Sequence, residues 1–157
     1  MNPAAALLVV VLLVALTTAL GLVWRRRQGR VTGAGETAAA VTIAELGLES
    51  SSPPVFGAEA TLLQFSTEFC ARCPGTSTLL RQVADARAGV RHVDVDLTHR
   101  ADLARRFNVL QTPTTLVLDR AGMVRARVGG VPTRAALHAH LDDLASDGQS
   151  LDSKEIP

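Results

Sequence analysis

Apolar and polar positions divide the chain into four stretches. Ala4 to Trp24 reads AAALLVVVLLVALTTALGLVW, 21 residues without a charge. A helix of that length spans about 31 Å at ~1.5 Å per residue, matching a bilayer core of ~30 Å. Thr17, Thr18 and Gly21 alone interrupt it, and their hydroxyls can bond back to the helix. Trp24 falls where an interfacial aromatic sits, and Arg25, Arg26, Arg27 and Arg30 follow. A signal-peptide core is shorter and follows basic residues, which are missing here. A buried helix would show a polar face. The pattern predicts an uncleaved transmembrane helix with its basic flank over residues 1–27. Arginines on one side only predict N-terminus out, with the rest of the chain cytoplasmic. The alternative orientation places the domain outside.

Residues 28–59 read as a linker, with Gly29, Gly33 and Gly35 near one end and Ser50 to Pro54 near the other. Within it, VTIAELGL at Val41 to Leu48 is apolar enough for a short element on the domain edge. Residues 146–157 are polar, lack apolar periodicity and are expected to be a disordered tail.

Residues 60–145 carry alternating and helical periods. Thr61 to Ser66 (TLLQFS) fits a buried strand. Thr76 to Arg87 places Leu79, Leu80 and Val83 on one helical face, with Gly89 as a stop. In Val90 to Leu97, Val93, Val95 and Leu97 alternate with His92, Asp94 and Asp96, which gives a strand with one more polar face. Thr98 is placed to cap a helix carrying Leu103 and Phe107, with Asn108 at its end. Thr115 to Leu118 and Met123 to Val128 form a strand pair across the turn signal at Asp119 to Gly122. Pro132 or Thr133 opens a last helix with Leu137, Leu141 and Leu144 as its stripe. The order is strand, helix, strand, helix, strand, strand, helix. A βαβ unit followed by ββα predicts an α/β fold with a mixed sheet between helices.

Length and charge add limits. The chain has 157 residues, enough for one ordinary domain with appendages. Sixteen basic residues against fifteen acidic ones leave no electrostatic case for a nucleic-acid partner. Two cysteines exclude a disulfide-rich scaffold.

Those cysteines, Cys70 and Cys73, stand three apart between a predicted strand and a predicted helix. A helix N-terminus offers unpaired N–H groups and about half a positive charge, which favours a thiolate. Arg72 adds a full charge for thiolate tuning. Cys70 is expected as the nucleophile and Cys73 as the thiol that resolves a mixed disulfide. Pro74 costs little in a first helical turn. Two duller readings compete. A zinc half-site lacks a second cysteine pair, and His92 with His99 has the wrong spacing to complete it. Two inert structural cysteines would not need this placement. His99, His138 and His140 read as surface polar residues, and Asp94 and Asp96 as solvated or capping carboxylates.

With TLLQFSTEFCARC, the strand at Val93 to Asp96, NVLQTPT at Asn108 to Thr114 and Val128-Gly129, the chain resembles the thioredoxin family over about residues 60–145. It is most similar there to short, membrane-anchored bacterial thioredoxin-like proteins. The resemblance implies a thioredoxin-like fold and a thiol–disulfide oxidoreductase that reduces protein disulfides and contributes to redox homeostasis at the membrane. It implies that Pro113 is a cis-proline beside the cysteines, that Thr112 presents backbone to substrate, that Phe69 stands at the substrate face, and that Gly129 keeps the groove open. It implies no cofactor beyond the redox disulfide, no metal, an electron-donating reductase as partner, and a monomer. The chain departs from the family at Phe69, usually Trp, and at Ala71-Arg72, usually Gly-Pro. Gln64 aligns with a buried Asp that relays protons, and His92 with its partner lysine. Glutamine cannot titrate, so His92 is the expected proton acceptor, against the plain reading of a solvated strand histidine. An exported oxidoreductase and a non-catalytic interaction module are the alternatives. Glutathione-linked activity would want a tyrosine, and the chain has none.

Overall fold

The computed structural model describes residues 3–27, 31–33, 40–48 and 55–152. Ten elements follow in order: α1 (Pro3–Arg27), β1 (Val31–Gly33), α2 (Ile43–Leu46), β2 (Ala60–Ser66), α3 (Cys73–Asp85), β3 (Val90–Asp96), α4 (Ala101–Arg106), β4 (Thr114–Asp119), β5 (Val124–Gly129) and α5 (Arg134–Asp152). From β2 onward this is the predicted order.

The strands form one mixed sheet in the order β1-β5-β4-β2-β3. β2 runs parallel to β3, as a βαβ crossover through α3 requires, and antiparallel to β4. β4 and β5 make an antiparallel hairpin. Asp119 accepts hydrogen bonds from the backbone of Ala121 and Met123, and Gly122 takes the left-handed φ of 77° that closes the turn.

β2 lies inside the sheet, between β4 and β3, and is buried on both faces, which explains its near-continuous apolar run. Its alternate side chains feed two cores. Leu63 and Phe65 pack with Val95, Leu103, Phe107, Leu116 and Leu118 under α4. Leu62 packs with Leu80, Val83, Val117, Leu137 and Leu141 under α3 and α5. Phe65 and Phe107 stack with ring centroids 5.2 Å apart.

Three expectations need correction. Residues 28–59 are not linker throughout, because β1 pairs with β5 and both Val41 and Leu46 are buried in the Phe65 core. Thr42 and Glu45 form a reciprocal capping box on α2, and Gly47 ends it at φ 70°. The expected tail begins as helix, since α5 continues to Asp152; residues 153–157 lie outside the described residues. Thr98 does not cap α4. Its hydroxyl donates to Asp96 at 2.6 Å and accepts from the Glu68 N–H at 3.0 Å, while Arg100 takes the cap position without a side-chain bond. Asn108, at φ 48°, does end that segment.

The anchor expected over residues 4–24 is not among these. α1 is helical, Thr17 and Thr18 donate back to Leu13 and Val14, and its apolar side chains are exposed. Among the described residues no helix is long and apolar enough to cross a membrane, so the membrane placement is not shown.

Candidate active site

The site forms where β2 ends. Strand pairing sets Phe65 opposite Thr114 and Thr114 opposite Gly129, so the ends of β2 and β5 and the start of β4 share one edge of the sheet. The chain leaving β2 turns through Thr67 to Arg72, with the Cys70 N–H on the Thr67 carbonyl and the Cys73 N–H on the Cys70 carbonyl, both at 3.1 Å. Cys73 begins α3 and Pro74 follows it, where a missing N–H costs no helix bond.

Cys70 and Cys73 are joined by a disulfide, with S–S 2.07 Å and Cα–Cα 5.4 Å. Their surroundings differ. Cys70 is partly exposed, whereas Cys73 is only 4% exposed. The first turn of α3 holds no acidic residue to compete for its positive end. Arg72 is exposed between the cysteines, and its carbonyl accepts from both the N–H and the hydroxyl of Thr76. Phe69 is 85% exposed beside the pair.

Facing them is the loop into β4. The Thr112–Pro113 bond is cis and Pro113 is buried. The Thr112 and Thr67 hydroxyls stand 3.3 Å apart, tying this loop to the cysteine turn. The Pro113 carbonyl accepts from the Gly130 N–H at 2.8 Å. Arg127, half-buried on β5, donates to the carbonyls of Phe107 and Asn108 and so holds the start of the loop. Sequence reasoning missed Arg127; its place opposite Leu116 in the hairpin was the available signal.

Behind the pair, Gln64 is fully buried on the α3 face of β2. Its amide Nε2 donates to the Cys73 carbonyl at 3.2 Å, and its Oε1 stands 3.3 Å from His92 Nε2. An amide oxygen only accepts, so His92 Nε2 carries the hydrogen. The structure thus brings Gln64, His92 and Cys73 into one chain, but the link ends on a carbonyl. Burial holds the His92 pKa below its ordinary value; Asp94 opposes this and Arg81 reinforces it. Asp94 accepts from the Ser66 hydroxyl and Asp96 from Thr98, as capping carboxylates do. A cleft of about 600 Å³ opens on this side between Cys70, Glu68, Ser77, Arg81, Asp94 and Asp96.

A mixed sheet that presents an exposed and a buried cysteine at a helix start, across from a cis-proline, defines a thiol–disulfide oxidoreductase. The family model for thioredoxin matches residues 55–143, and the chain belongs to the thioredoxin family. Thioredoxin C-2 of Corynebacterium nephridii is 31% identical over 96 residues, covering 60% of this chain and 88% of that protein. Putative thioredoxin 2 of Streptomyces coelicolor is 26% identical over 112 residues, covering 71% and 80%. The solved structure of thioredoxin-2 from a malaria parasite superposes with a TM-score of 0.50 at 20% identity, over 70% of this chain and 99% of that one, and shares the fold.

Proposed function

We propose that the chain is a protein-disulfide reductase in which Cys70 attacks and Cys73 resolves. The asymmetry of exposure between the two sulfurs carries this reading. In the dithiol form, the Cys70 thiolate attacks one sulfur of a substrate disulfide. The substrate S–S bond breaks, a mixed disulfide forms, and the first substrate sulfur leaves and takes up a proton. The Cys73 thiolate then attacks the Cys70 sulfur and releases the second substrate thiol. The substrate gains two electrons and the enzyme is left as the Cys70–Cys73 disulfide, which a reductase partner must reduce. Phe69, Thr112 and Pro113 form the substrate face, and Arg72 tunes the thiolate. No cofactor beyond the cysteine pair is assigned.

Equilibration of the purified full chain with defined thiol buffers tests the direction. A potential near about −270 mV, like thioredoxin's, is expected of a reductant facing the cytoplasm. A value near about −120 mV would make the pair an oxidant and overturn both direction and orientation.

Gln64 and His92 act as positioning residues in this reading. Gln64 holds the first turn of α3, and His92 holds the Gln64 amide as a neutral donor; the proton-acceptor role expected of His92 reaches no sulfur. A histidine whose folded pKa is lowered contributes stability above its unfolded value of about 6.5, and that contribution is lost as pH falls through the folded value. His92→Gln, which cannot charge, is expected to flatten the fall in urea-unfolding stability below pH ~6.5. An unchanged pH slope would remove His92 from this role.

The charge-free run from Ala4 to Trp24, with arginines on one flank, supports membrane anchoring with the domain on the cytoplasmic side. Cell membranes washed at alkaline pH are expected to retain the chain, and to release it when residues 1–27 are deleted. Release of the full chain would remove the anchor.

A further inference from the structure

The open groove expected at Gly129 is occupied. A Cβ built on Gly129 would stand 2.6 Å from Nε2 of Gln111 and 3.6 Å from its Cδ. The φ of Gly129 is not in the left-handed region, so the missing side chain serves close approach rather than backbone freedom. What approaches is the Gln111 amide, from the loop that carries the cis-proline. The loop backbone beneath it is held from two sides. The Gln111 carbonyl accepts from the Thr114 hydroxyl at 2.8 Å, and the Pro113 carbonyl accepts from Gly130 at 2.8 Å. Gln111 itself is exposed, and among the described residues its side-chain amide has no hydrogen-bond partner. A primary amide offers two N–H donors and a carbonyl acceptor. Next to it, Leu110 is 86% exposed.

Resting on the disulfide-reductase reading, the geometry points to Gln111 as a specificity-determining residue. Its amide is laid over Gly129 to hydrogen-bond the backbone of an extended polypeptide bearing the target disulfide. A polypeptide flanking a disulfide presents alternating N–H and C=O groups that such an amide matches. A small aromatic disulfide presents none. Gln111 therefore selects protein disulfides over small ones without touching the redox sulfurs.

The test uses the pre-reduced full chain, mixed either with insulin as a protein disulfide or with dithiobis(nitrobenzoate) as a small one. Gln111→Ala and Gln111→Met are compared with the parent; methionine keeps the length and loses the hydrogen bonds. Both variants should lose about three- to tenfold in rate on insulin, the worth of one or two hydrogen bonds, and keep their rate on the small disulfide. Gln111→Glu keeps an acceptor without the donors and should fall between. Parent rates on both substrates from Gln111→Met would overturn the inference and reduce Gln111 to packing. Equal losses on both substrates would also overturn it, since the effect would lie at the cysteines. A parent chain that reduces neither substrate would instead sink the reductase reading itself.

Discussion

Replacing Cys70 by serine should reduce the turnover of protein disulfides to the background rate of the chemical reductant alone. A hydroxyl at this position has no accessible oxyanion and forms no disulfide, so the first bond exchange never occurs. Cys73→Ser should behave differently. Cys70 is the partly exposed member of the pair and can still attack, but nothing buried behind it can attack back. The variant should accumulate as a covalent mixed disulfide with its substrate, released by added dithiol and visible on a non-reducing gel. If Cys73→Ser turned over and Cys70→Ser trapped the adduct, the assignment of the two sulfurs would be reversed.

The second large effect is on stability. Phe65 is fully buried on β2, stacked on Phe107 and packed between β3, β4 and α4. Phe65→Ala should cost about 3–5 kcal/mol in urea unfolding, from lost transfer energy and from a cavity that flanking β-strands cannot close. A cost under about 1.5 kcal/mol would mean that the site collapses and that Phe65 is not the keystone of that core. Because Phe65 lies two residues before the turn that carries Cys70, a milder Phe65→Leu should also slow exchange.

The sequence read well where period and position agree. TLLQFS fits a buried strand inside the sheet, and the CxxC between a strand and a helix sits at the helix start, as read. The elements it hid are short. Three residues of β1 carry no period, and neither does a four-residue helix. α2 nevertheless had a local signature in Thr42-Ile43-Ala44-Glu45 followed by Gly47, a capping box with a glycine stop. Its side chains are also tied to α4, with Arg106 on the Glu45 carboxylate at 3.1 Å and Arg100 on the Glu45 carbonyl. Such long-range pairs leave no trace in spacing. α5 overran its expected end because polar residues suit a solvated helix as well as a coil. At the site, Gln64 and His92 were legible as neighbours across β2 and β3, but the direction of their bonds was not. Gln111 was invisible for the opposite reason: an exposed glutamine in a loop looks like solvent-facing filler until Gly129 shows what it lies against.

The short edge strand has a mechanical consequence. Val31 pairs with Val128, one residue from Gly129, so β1 enters the sheet at the same end as the redox pair. Four peptide steps separate Arg27 from Val31, a reach of at most about 14 Å. Under the anchoring proposed above, the point of attachment would lie beside the working face rather than at its back. A membrane holding α1 would then limit how far that face could travel, and its substrates would be drawn from a thin shell around the point of attachment instead of from the bulk volume.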